Sequence, residues 1–291
     1  MAWAKEEAEK TRTPKKSLKD EMKDRLFNNP IILPDSVPSF IMFIGGDGTG
    51  KSGLALATLT KEAVKAGKKL VVVDADGGTL PLILEHHRKA VASGNIIYYD
   101  PIQWKEDEET GRPVRDYDAT IDQINAIAIA TKEEHEENKN IQGVILDGGS
   151  VLLKETESIM RLEKELDVDS GVTYSFWKLR SRLFLEMLSL YKNLPFDSIV
   201  TFHTDFLLDS GGEKSPSAVK INTHALMFQK VFLERIDRGD TIEFIATIEK
   251  NKFDIIKEGK RIVFGTVDKK TEKYKWEPEK VLSELRPKKE E

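Results

Sequence analysis

No cysteine occurs anywhere in the 291 residues. Disulfides, thiolate zinc sites, iron–sulfur clusters and cysteine nucleophiles are thereby excluded together, and a reducing compartment suits the chain. No apolar run approaches the roughly 18 residues of a membrane span, and the opening MAWAKEEAEKTRTPKK lacks the apolar core of a secretory signal. The expectation is a cytoplasmic place, in a cell or an infected host, with no membrane partner. An excess of positive charge is also missing. Lys and Arg total 45 against 50 Asp and Glu, a net charge of -5, so any grip on a polyanion must be local. There is no G-x-S-x-G elbow, and the five histidines show no metalloprotease spacing.

The chain does have enough apolar residues, 39% of the total, to fill the core of one large α/β domain or two small ones. Residues 1–38 read as an arm and linker. Leu18, Met22, Leu26 and Phe27 fall at helical spacing, which suits a packing or oligomerisation element, and three prolines follow in 28–40. From Phe40 an alternation of apolar strands and helices begins. Strands are expected at 40–44, 69–74, 96–99, 144–147 and 198–203. Helices are expected at 51–66, 80–93, 121–138, 150–166 and 172–192. The first of these carries Leu54, Ala57, Leu59 and Val64 on its apolar side. Residues 104–118 form a charged excursion. Beyond 229 the pattern becomes strand, Arg-Gly-Asp turn, strand, with short strands after it, and 278–291 reads as a charged tail. The fold class is therefore α/β, a mostly parallel sheet flanked by helices with a C-terminal antiparallel extension.

Gly45-Gly46-Asp47-Gly48-Thr49-Gly50-Lys51-Ser52 fits G-x-x-x-x-G-K-[ST] in full, with Gly53 behind it. It follows an apolar strand and opens a helix, the context that gives the motif its chemistry. Glycines let the backbone wrap a phosphate with N–H groups inward, and the helix N-terminus adds its dipole. Lys51 is placed for the β- and γ-phosphates and Ser52 for Mg²⁺. Asp147 ends a buried strand and completes the metal shell. Asp74 and Asp76 end another such strand, where one carboxylate can polarise an attacking water.

These parts resemble RecA-type ATPases. Asp74-Ala75-Asp76 is similar to the Asp-Ala-Glu segment of recombinases, with an acid one methylene shorter. Lys250-Asn251-Lys252 resembles the Lys-Asn-Lys segment whose lysines reach the neighbouring subunit's nucleotide. The strand ending at His203 resembles the strand whose terminal polar residue senses the nucleotide. The order of these parts along 39–277 is that of the RecA core, and it looks closest to the compact single-domain ATPases and recombinases of phages and archaeal mobile elements. The resemblance implies ATP and Mg²⁺ as cofactors, with Lys51, Asp76, His203, Lys250 and Lys252 catalytic. It implies a homo-oligomeric ring or filament, and single-stranded DNA as partner in recombination, replication or repair.

The expected DNA loop at 204–223 holds only Lys214 and Lys220 against three acids. A second candidate surface joins Tyr174, Phe176 and Trp177 to Lys178, Arg180 and Arg182, although Phe176, Leu179, Leu183 and Met187 also fit a buried helix face. Arg161 and Arg180 are alternative arginine fingers. A partition or targeting-type nucleotide switch acting through a protein is the main alternative, but its signature lysine position is occupied by Gly46. A small-molecule kinase and a subunit that holds ATP without turnover are further readings.

Overall fold

The computed structural model describes residues 38–167, 170–204 and 226–285. The expected N-terminal arm lies outside them, as does the expected DNA loop beyond Thr204.

The core is a nine-stranded sheet ordered β11-β10-β9-β8-β1-β7-β6-β2-β3. Its strands are β1 (Phe40–Gly45), β2 (Lys69–Asp74), β3 (Ile96–Tyr99), β6 (Ile141–Asp147), β7 (Asp197–His203), β8 (Gln229–Asp237), β9 (Thr241–Asn251), β10 (Arg261–Asp268) and β11 (Tyr274–Trp276). The run from β8 through β1 to β3 is parallel. The steps from β8 to β11 are antiparallel. This is the expected α/β fold, a mostly parallel sheet flanked by helices with an antiparallel C-terminal extension. Every residue of β1 is buried, as a strand with helices on both faces requires.

Among the described residues the helices are α1 (Lys51–Ala66), α2 (Thr79–His86), α3 (Arg88–Ala92), α4 (Tyr117–Asn138), α5 (Gly149–Glu163), α6 (Tyr174–Lys192) and α7 (Glu279–Leu285). One face of the sheet packs Met42, Ile44 and Leu146 against α4, α5 and α6, through Ile124, Leu152, Phe184 and Leu188. The other packs Phe43, Val72 and Val231 against α1, α2 and α7, through Leu54, Leu59, Ile83 and Leu285. Fully burying each such side chain is worth about 1.5–3 kcal/mol.

Several expectations need correction. The single helix at 80–93 is two, broken at His87, whose φ of -126 is not helical. On α1, Leu54 and Leu59 are buried as expected, but Val64 is half exposed and Leu56 and Ala63 take the inner places. The charged excursion is a separate two-stranded hairpin, β4 (Trp104–Glu106) with β5 (Pro113–Arg115). Residues 279–285, assigned to a charged tail, form α7, which buries Val281, Leu282 and Leu285. Its apolar positions at i, i+1 and i+4 are enough for one face of a short helix despite the charges between them. On α6 the buried set is Arg180, Phe184, Met187, Leu188 and Tyr191, so only Met187 of the expected face is fully inside.

Candidate functional site

β1 delivers its last residue, Gly45, to the top of the sheet between β7 and β8, opposite His203 and Leu233. The chain then loops into α1. Gly45 admits no side chain, because a Cβ would meet the Leu233 carbonyl oxygen at 2.5 Å and Thr49 Oγ1 at 2.6 Å. Gly50 has φ +85, and a Cβ there would lie 2.9 Å from the Trp276 ring. The loop thus needs glycine both for backbone sign and for close packing. Thr49 ties the loop by donating to the Gly46 carbonyl at 2.9 Å.

Lys51 is buried, and its ammonium donates to the carbonyls of Gly45 at 3.0 Å and Gly46 at 2.8 Å. Burial lowers its pKa, with Asp147, Asp47 and Asp76 opposing. All the sequence-predicted loop residues therefore stand in one cradle: Gly45, Gly46, Asp47, Gly48, Thr49, Gly50, Lys51, Ser52 and Gly53.

Asp147 ends β6 with no exposure to solvent. It accepts hydrogen bonds from the hydroxyls of Thr79, Thr201 and Ser52. Burial raises its pKa most, then the charge of Asp76, and these hydroxyls only partly offset that. The two predicted metal residues, Ser52 and Asp147, are thus in direct contact. Thr79 and Thr201 were not singled out in the sequence. Isolated threonines carry no pattern, and these two become neighbours only through the β2-β6-β7 strand order.

Asp74 and Asp76 take different roles. Asp74 accepts from the N–H groups of Gly77 (2.9 Å), Thr79 (3.0 Å) and Leu80 (3.2 Å) and from Tyr98 Oη (3.2 Å). It ties down the start of α2, and burial raises its pKa. Asp76 has a side chain 19% exposed. Its Oδ2 lies 3.5 Å from His203 Nε2, and its Oδ1 accepts from Gly78 N–H at 2.9 Å. The His203 contact is the largest influence holding its pKa below the usual carboxylate value. Carboxylate oxygens of Asp74, Asp76 and Asp147 lie within 4.8 Å of one another. The other ring nitrogen of His203, Nδ1, lies 2.9 Å from Asp47 in the loop. His203 therefore bridges the phosphate loop and the Asp76 segment, while its backbone N–H binds Ser150 Oγ at 3.0 Å.

Lys250 and Lys252 do not join this group. Lys250 pairs with Lys230, which pairs with Met42, three residues before Gly45 and two strands away. That is about 10 Å along and about 10 Å across the sheet. Lys252 is exposed, with its ammonium 5.4 Å from the Phe228 ring. Neither reaches the loop of its own chain. Asn251-Lys252-Phe253-Asp254 spells the guanine-reading tetrad Asn-Lys-x-Asp, but it sits at the same remote end. Asn251 is buried there, bonding the Glu284 carbonyl and Phe253 N–H.

The alternative arginine fingers are also committed elsewhere. Arg180 is buried, 3.6 Å from Glu157 and 4.2 Å over Trp177. Arg161 binds Glu157 and the carbonyls of Asp167 and Ser170. His135 is half-buried, with Nδ1 3.1 Å from the Ile141 carbonyl and its ring 5.0 Å from Phe196.

A cavity of about 650 Å³ opens beside the loop, with Gly50 and Gly53 in one wall and Phe244, Tyr274, Trp276 and His86 in the others. Another, of about 690 Å³ between α1 and α3, touches no loop residue.

Neither a protein-family model nor a curated protein matches the sequence. Among solved structures the chain is similar to a KaiC-like protein from the hyperthermophilic archaeon Pyrococcus horikoshii OT3. The two are 16% identical with a TM-score of 0.45, over 78% of this chain and 85% of that one. The flagellar accessory protein FlaH from Methanocaldococcus jannaschii is also 16% identical, with a TM-score of 0.43, over 86% and 92%. The fold assignment rests on this chain's own strand order and phosphate loop. Among the described residues, no helix is long and apolar enough to cross a membrane.

Proposed function

We propose that the chain binds ATP with Mg²⁺ and hydrolyses it, acting as a homo-oligomer. The observation that carries this reading is the meeting of the glycine loop, Lys51, Ser52 and Asp147 at the end of β1. Ser52 and Asp147 suit a Mg²⁺–phosphate group, since a hydroxyl and a carboxylate in contact are hard oxygen donors. Bound there, Mg²⁺ would neutralise charge on the phosphates.

Lys51 is placed to exchange its carbonyl partners for phosphate oxygens. Asp76 orients a water for in-line attack. The water oxygen bonds to the terminal phosphorus, the bond from that phosphorus to the bridging oxygen breaks, and the diphosphate leaves. The water proton passes to Asp76 or to the phosphate. The depressed pKa of Asp76 makes it a better orienting group than proton acceptor, which suffices for a loose transition state. The aromatic cavity against Gly50 and Gly53 suits the nucleobase, which needs an apolar slot within one sugar of the phosphates.

Lys250 and Lys252, out of reach in their own chain, would serve a neighbouring copy. For a single-stranded DNA partner, the supporting observation is exposed Tyr174 with Lys178 5.4 Å over its ring, beside Trp177 and Arg182. The reading as a nucleotide switch acting through a protein remains its competitor. Turnover of ATP with and without single-stranded DNA, for wild type and Lys51→Ala together with oligomer mass, separates these readings. DNA-stimulated hydrolysis lost in Lys51→Ala supports the DNA-dependent ATPase. Hydrolysis indifferent to DNA points to a protein partner, and no hydrolysis by wild type sinks the enzyme reading.

A further inference from the structure

Arg235 was not singled out in the sequence, where it reads as one charge in a strand. β8 runs parallel to β1 on the side away from β7, with Leu233 opposite Gly45. Val231 and Leu233 are buried on the sheet face that carries α1. Alternation places Arg235 on that same face, two residues past the level at which β1 ends. Its guanidinium reaches the phosphate loop, where a Cβ on Gly48 would lie 3.5 Å from Arg235 Nη1. Across the ladder it stands opposite Phe244, a wall of the aromatic cavity.

Among the described residues no hydrogen bond or ion pair holds this guanidinium. The nearby acids are hydrogen-bonded or ion-paired to other groups, and of them Asp237 also feels the charge of Arg235. Asp237 binds Lys269 Nζ at 2.7 and 2.6 Å, Glu234 binds Arg261 at 3.1 Å, and Asp47 meets His203. The five donors of a rigid fork thus lie against the glycine loop that leads into Lys51.

We propose that Arg235 is a phosphate-binding residue of the same chain, gripping the nucleotide's polyphosphate from the side of the loop opposite His203. This rests on the nucleotide-binding reading above. The guanidinium and Lys51 then approach the phosphates from two directions. Arg235 sits between the loop and the aromatic cavity, where a nucleotide spanning both must pass.

The test is ATP binding by calorimetry on the full chain with Mg²⁺, for wild type, Arg235→Ala and Arg235→Lys, with thermal melts alongside. The expected result is about tenfold weaker binding for Arg235→Ala, a partial return in Arg235→Lys, and unchanged melting. Binding within twofold of wild type in both variants would overturn the proposal. Adding Lys51→Ala protein to Arg235→Ala supplies the arginine without a working loop. Binding restored by that mixture would overturn the same-chain assignment. If wild type itself binds no ATP, the parent reading fails and this inference falls with it. Wild-type binding with indifferent variants sinks Arg235 alone.

Discussion

His203 Nε2 lies 3.5 Å from Asp76 Oδ2, and this contact is the largest influence depressing the Asp76 pKa. A carboxyl whose folded pKa is depressed contributes stability above its unfolded pKa, and that contribution is lost as pH falls through the folded value. In His203→Ala the Asp76 carboxyl should titrate at higher pH, and the acid limb of kcat/KM should move upward with it. Asp76→Asn should lose about 10²-fold or more in turnover. Profiles of kcat/KM against pH for the three proteins check both points. An unmoved acid limb in His203→Ala would remove His203 from the catalytic unit.

Asp147 should trade stability for function. Burial raises its pKa above the unfolded value, so the folded state gains stability as pH falls through that raised pKa and bears a buried charge above it. Asp147→Asn keeps the shape and removes the charge. In EDTA at neutral pH it should melt higher by about 2–4 °C for each kcal/mol recovered. Its ATP turnover with Mg²⁺ should fall at least about 10²-fold. A lower melting temperature would show that the Thr79, Thr201 and Ser52 hydroxyls need the carboxylate more than burial opposes it.

Trp276 lines the cavity and its ring packs on Gly50. ATP binding should quench its fluorescence. Trp276→Phe retains an aromatic wall and should fold normally, yet lose most of that signal and bind ATP several-fold more weakly. Quenching that persists in Trp276→Phe would place the base elsewhere.

Lys250→Ala and Lys252→Ala should leave ATP affinity of the isolated chain unchanged, since both lysines lie far from its own loop. Turnover stimulated by assembly should fall steeply, because cations supplied in trans to a phosphoryl group are worth about 10³–10⁵ in GTPases. Hydrolysis measured across a protein concentration series tests this, and a normal concentration dependence in both variants would refute the trans role.

The phosphate loop was legible because its chemistry is local, with eight contiguous residues between a strand and a helix. Asp147 was legible because a buried run ending in an acid has few explanations. The residue pattern alone did not separate Asp74 from Asp76; only the resemblance picked out Asp76. What divides them is that Asp74 takes three backbone N–H groups from residues 77 to 80 while Asp76 turns to His203. The aromatic cavity was invisible because α1, α2 and the β9–β11 strands meet only in space. Arg180 misled because its charge suggested a surface. Glu157 and Trp177 give it a charged partner and a ring to lie on, which is how arginine enters an interior. Helix α7 was hidden by the charges around three apolar residues.

Among the described residues, the sheet's two outermost strands are short, four residues in β3 and three in β11. A strand joining either margin would find only a few backbone groups to pair with, far less than a long open edge offers. Growth of the sheet from one molecule into the next is therefore disfavoured.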